Sequence, residues 1–220
     1  MKWTNQRIVV YFLFCIPLNV AGQKGFYLEI LPGAAYSLPS KLKIHQEGHN
    51  DIEIMAHYEV KPFTLPIYYS IRAGFSINEI LSLEIEFNHL KLFLINKPDE
   101  IQRFSVTHGY NQLWFSFLKE YRTFDARVGI GPVIAHPENT VRAKTLSETG
   151  GLFNRGFHMD GITSQLALQK RIYLFRNVFL TAETKLNVSF ARTDVVDGYA
   201  NISVFAFHAL LGAGLHLFYP

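Results

Sequence analysis

The 220-residue sequence has a single cysteine, Cys15, and it falls in a segment that reads as an export signal. Lys2 and Arg7 give a positive start, Ile8 to Leu18 is an almost unbroken apolar run, and Val20-Ala21-Gly22 supplies the small residues a signal peptidase needs. Cleavage is expected after Ala21 or Gly22, which makes 1–22 the signal peptide and 23–220 one mature domain. The run is short for an anchor helix and is broken by Pro17. Phe12-Leu13-Phe14 before Cys15 are bulkier than a lipidation site normally has. Removing the signal removes the thiol. That excludes a disulfide-stapled secreted domain, a cysteine metal cluster and thiolate catalysis.

Long apolar runs are also missing after residue 22, where none approaches the roughly 18 residues of a spanning helix. A membrane crossing must therefore be made by strands. Charge of one sign is scarce: the formal +3 falls to +1 once Lys2 and Arg7 leave. The balance gives no reason to expect a nucleic-acid partner, and no basic-aromatic patch or Gly-rich phosphate loop appears. There is no His-Glu-x-x-His. His45 and His49 have helical spacing but lie in an expected strand and turn. No metal and no cofactor are expected.

What the sequence has is alternation. In 203–219, Phe205, Phe207, Ala209, Leu211, Ala213, Leu215, Leu217 and Tyr219 share one face, while His208, Gly212, Gly214 and His216 lie on the other. In 179–190, Leu180, Ala182, Leu186, Val188 and Phe190 oppose Thr181, Glu183, Lys185 and Asn187. Segments 159–172, 122–134, 80–90, 67–75 and 51–58 repeat the pattern. An apolar outer face, small or polar residues opposite and strands longer than twelve residues suit an all-β, closed antiparallel transmembrane barrel. A soluble β-sandwich is the alternative, since it alternates as well.

Tight connections are expected near Ser76–Glu79, Lys119–Thr123 and Phe175–Asn177, and long ones near Ile95–Ile101, Ala135–Gly156 and Arg192–Ile202. With 26–36 and 51–59 ascending and 65–76 descending, a short descending strand at 40–46 and a turn at Glu47–Asn50 give ten strands. Eight is the alternative, if 40–46 is loop and part of the N-terminal region lies outside the wall.

The inward faces gather Glu29, Glu53, Glu84, Glu86, Asp125 and Glu183 with Arg72, Arg127, Arg171 and Lys185, and with His57, His208 and His216 nearby. Charges inside a small barrel must pair, so the lumen is expected to be closed by salt bridges. A narrow channel is the alternative. His89 and Lys91 continue an outward face to the rim, where a basic pair suits lipopolysaccharide phosphates. Around Phe104–Trp114 the alternation slips, and a bulge near Gly109 is expected, making His108, Tyr110 and Asn111 rim candidates. The loop 135–156 carries His136, Glu138, Arg142, Lys144 and Glu148. His136 and Glu138, with a serine such as Ser147, are candidates for a hydrolytic site.

The signal peptide, the paired strands and the final Leu-Phe-Tyr-Pro together resemble the small outer-membrane β-barrel proteins of Gram-negative bacteria. The resemblance implies residence in the outer membrane, contact with lipid and insertion by the barrel-assembly machinery. Its implied role is structural or in surface interaction. A further resemblance is to the lipid A deacylases, whose site uses His-x-Ser with a nearby acid. Here the position reads His89-Leu90-Lys91, without the nucleophile, although Glu84, Glu86 and His89 place acids and a base on one strand. Hydrolysis of an outer-leaflet lipid ester is therefore the enzymatic alternative, with His89, Glu86, His108, His136 and Glu138 as its candidate residues.

Overall fold

A computed structural model describes residues 25–217 apart from Phe153; the expected signal peptide and the C-terminal Tyr219 lie outside the described residues. Among the described residues every regular element is a strand. In chain order they are β1 (Phe26–Leu38), β2 (Ser40–Gln46), β3 (Ile52–Ala56), β4 (Tyr58–Glu59), β5 (Tyr69–Ser76) and β6 (Leu81–Leu94). They continue with β7 (Ile101–Glu120), β8 (Asp125–Ala135), β9 (Glu138–Val141), β10 (Lys144–Thr145), β11 (His158–Tyr173), β12 (Val178–Val195) and β13 (Gly198–His216).

Eight of these form the wall. The antiparallel pairings run β1–β5–β6–β7–β8–β11–β12–β13 and return to β1, where Tyr27 faces His216 and Leu38 faces Phe205. The wall has the eight strands of the alternative, but 40–46 is strand and not loop, and the reason lies at Pro39. Proline cannot donate to a ladder but need not reverse the chain. After Pro39, β2 simply continues the direction of β1 along the same neighbour, pairing Leu42 with Ile202 and Gln46 with Gly198. The reversal comes at Glu47–Asn50, as expected, with Gly48 at φ 75°. β3 then descends on β2, and β5 descends on β1. Segment 40–46 therefore ascends and 51–59 descends, the reverse of the expected directions.

The tight connections fall at 77–80, 121–124 and 174–177, close to the expected positions. The expected loop at 192–202 is instead strand. β12 and β13 pair without interruption from Arg192–Asn201 to Val195–Gly198, and Val196-Asp197 alone make the turn, with Asp197 at φ 58°. Gly198 allows β2 to close on this hairpin, since a Cβ there would lie 1.9 Å from the His45 carbonyl oxygen.

Several strands are far longer than the 9–11 residues that cross a bilayer. β7 has 20 residues, β12 has 18 and β13 has 19. Along them the chemistry of the two faces exchanges. At the tight-turn end the outer face of β13 is Phe207, Ala209 and Leu211, and the inner face is His208, Gly212, Gly214 and His216. At the long-loop end the outer face is Tyr199, Asn201 and Ser203, and the inner face is the buried Ala200, Ile202 and Val204. The expected outward apolar face of 51–58 is turned inward for the same reason. Ile52, Ala56 and Tyr58 are buried, whereas Glu53 and His57 are exposed and do not reach the lumen. This segment stands above the lipid, where water outside drives apolar side chains in.

The lower wall exposes a continuous belt that includes Ile71, Ile85, Phe115, Val128, Leu166, Leu186 and Phe207. Aromatics edge it: Tyr121, Phe124, Tyr173 and Phe175 at the tight turns, and Tyr36, Phe190 and Phe205 opposite. Such a belt is not the surface of a soluble sandwich.

Candidate functional site

The lower lumen is filled by charge. Arg72 reaches Glu29, Glu183 at 2.6 Å and Glu86 at 3.1 Å. Arg127 binds Glu84, and it also binds Glu183 at 2.6 Å. Arg171 lies 2.8 Å from Glu29 and 3.3 Å from Glu84, and Lys185 joins Glu86 to Glu183. Four cations thus meet four carboxylates, and none of the eight side chains is more than 5% exposed. Gln169 Oε1 accepts from both Arg72 and Arg127, Tyr27 donates to Glu84, and Lys185 lies 4.8 Å over the Trp114 ring. Burying so many charges is tolerable because the cluster is neutral and densely hydrogen-bonded. The period of two does this locally, placing Glu84 and Glu86, or Glu183 and Lys185, on one face of one strand. Sequence reasoning assembled all eight as inward groups. It missed Gln169 and Tyr27 as their partners, which the same alternation could have supplied. Asp125 sits at the lower mouth, accepting from Gln169 at 3.2 Å.

Above the charges the lumen changes character. His208 marks the boundary, holding Tyr68 at 2.7 Å and Asn187 at 3.0 Å. Beyond it Leu42, Leu90, Leu92, Phe104, Val106, Ile202 and Val204 pack as a buried apolar core. The expected polar lumen is therefore only the lower part of a filled interior.

At the rim, the register of β6 against β7 shifts between Leu90 and Leu92, which face Tyr110 and Val106. This is the expected bulge, with Gly109 at φ 132°. It does not switch the faces: Phe104, Val106 and Tyr110 all remain buried inside. Its effect is to project His108 toward the β8–β9 corner. His108 Nδ1 lies 2.7 Å from Glu138 Oε1, its ring lies 4.8 Å from that of His136, and Arg103 pairs with Glu138 Oε2. His136 and Glu138 are buried, while His108 is 60% exposed. Burial pushes the His136 imidazole below its usual pKa. Two separate expectations, a bulge site and a loop site, thus meet in one cluster. Ser147 is exposed and hydrogen-bonded to Thr149, while His136 and Glu138 face His108.

His89 and Lys91 face outward but are covered. The chain leaves the wall after Val60 and returns at Tyr69, and Lys91 Nζ donates to the Thr64 carbonyl at 2.6 Å. His89 stacks on Tyr69 and bonds Asn111 at 2.8 Å. At 5% and 2% exposure these residues offer lipopolysaccharide no open phosphate site. Glu84 and Glu86 point into the lumen on the opposite face, so the wall separates them from His89 and no acid–base set forms there.

Among solved structures, outer membrane protein AlkL in lipid bilayers is similar at TM-score 0.50 and 12% identity, covering 91% of this chain and 94% of that one. Neisserial surface protein A matches at 0.45 and 14%, covering 88% and 98%. The Ail protein of Yersinia pestis matches at 0.40 and 8%, covering 88% and 99%. No family model and no curated protein matches the sequence. The ring of strands, the lipid-facing belt and the fold shared with AlkL define a small β-barrel of the outer-membrane type. Its place is the cell outer membrane.

Proposed function

We propose that this protein is a non-conducting barrel that works through the rigid strand extensions and loops standing above the outer leaflet. The observation that carries this reading is the double filling of the interior, by a neutral charge network below and an apolar core above. The upper structure is also tied together for presentation. Arg142 donates to Gln46 Oε1 at 3.0 Å and to the Asn50 carbonyl at 2.9 Å, Lys144 pairs with Asp197, and Asn139 donates to the Asp194 carbonyl. The lipid partner is the acyl-chain region around the belt, and insertion goes through the barrel-assembly machinery. Planar-bilayer recording of the folded protein tests the reading. A silent membrane is expected, and reproducible unitary steps would replace the reading with a channel.

A further inference from the structure

We propose that His108, His136 and Glu138 bind one divalent transition-metal ion of the Zn2+ type at the extracellular rim. Their ligand atoms lie within 4.8 Å of one another. They come from two directions, His108 from the β7 bulge and the other two from the corner joining β8 to β9. A rim ion pair explains His108, Arg103 and Glu138 alone. It does not explain His136, which is 5% exposed and whose Nδ1 is buried with no hydrogen-bond partner among the described residues. A buried ring nitrogen without a partner is costly unless something arrives to use its lone pair.

Two imidazoles and a carboxylate form a borderline donor set that suits zinc and its neighbours and disfavours the oxygen-seeking Ca2+ and Mg2+. Ligand bonds of about 2.0–2.2 Å require the three atoms to draw together. The exposed His108 can make that movement, because the bulge leaves its side chain outside the packed wall. Glu138 can turn Oε1 to the ion while Oε2 stays with Arg103, a carboxylate held from behind in the usual manner of metal ligands. The exposed side of the cluster leaves a fourth position for water. Gly156 fits against His136, where a Cβ would lie 2.7 Å from Nε2, and the Phe157 ring lies 5.0 Å away. The ion would thus pin the β7 bulge to the corner from which the 142–157 loop hangs.

The test is calorimetric titration of Zn2+ into the full mature chain, folded in detergent and verified by heat-modifiable migration. One saturable ion per chain is expected. His108→Ala should weaken it at least tenfold, and Arg103→Ala about 10- to 100-fold, as for a group that orients a ligand. His136→Ala gives the same loss if that chain folds; the exposed His108 carries the test if it does not. His45→Ala, which alters a separate imidazole near Asp51, should bind as the unmodified protein does. Absence of saturable binding overturns the site. So does unchanged affinity in His108→Ala, or loss of affinity in His45→Ala alone.

Discussion

In the lower part of β12, Glu183 and Lys185 point inward while Leu186 and Val188 point out; at its upper end Arg192 and Asp194 point out and Val195 points in. The strand is continuous and its side chains never change sides. Its surroundings do. Lipid takes the apolar residues outside in the lower region, and water forces them inside in the upper one. The lower interior is then left with charge, which it must neutralise internally, whereas the upper interior packs as an ordinary protein core. Both interiors are filled, by different physics.

Breaking the lower region should have the largest effect. Arg72→Met leaves Glu29, Glu86 and Glu183 short of a cation in a site without solvent, and a loss of about 3–5 kcal/mol is expected. The measure is urea unfolding in lipid vesicles, read by the migration of the folded band. Leu92→Ala in the upper core should cost about 2–5 kcal/mol by the same measure, through a cavity alone. Bilayers containing it should remain silent, because the charge network below is intact; a conducting Leu92→Ala would mean that the upper core is the only seal.

The boundary itself is sharpened by placing lysine on the outer face of β13 at two depths. Phe207→Lys meets lipid and should cost about 2–4 kcal/mol. Asn201→Lys meets water and should change stability by less than about 0.5 kcal/mol. Equal effects at the two positions would remove the boundary drawn between them. A comparably small change is expected from Lys144→Ala, whose pair with Asp197 is half-exposed: about 0–1 kcal/mol, most of it gone at high salt.

The inward charges and the belt were legible because a strand has a period of two, which sorts Glu84, Arg72 and Lys185 from Ile85, Ile71 and Leu186 without knowledge of neighbours. The same rule misled at 51–58, where Ile52, Ala56 and Tyr58 alternate as in a lipid-facing strand yet face inward. Alternation reports that two faces differ and is silent on which solvent lies outside. The basic pair His89 and Lys91 was expected to be open for a related reason. Its outward direction was legible, and its cover by Thr64 was not, since that contact joins β6 to the connection between β4 and β5, 27 residues away in the chain. His108, His136 and Glu138 were each singled out by a local irregularity, a bulge or a long loop. Their meeting depended on the offset between β6, β7 and the β8–β9 corner.

By itself the sequence determined the all-β class, the crossing by strands, the division of each strand into two unlike faces and the charge balance of the lower lumen, because these follow from local periodicity and composition. Tertiary structure alone decided that Pro39 continues a strand, that the wall closes at eight, that the upper interior is apolar and that three rim ligands converge. Those features rest on register between strands distant in the chain. Register is fixed by the closure of the whole ring, and no single strand carries it.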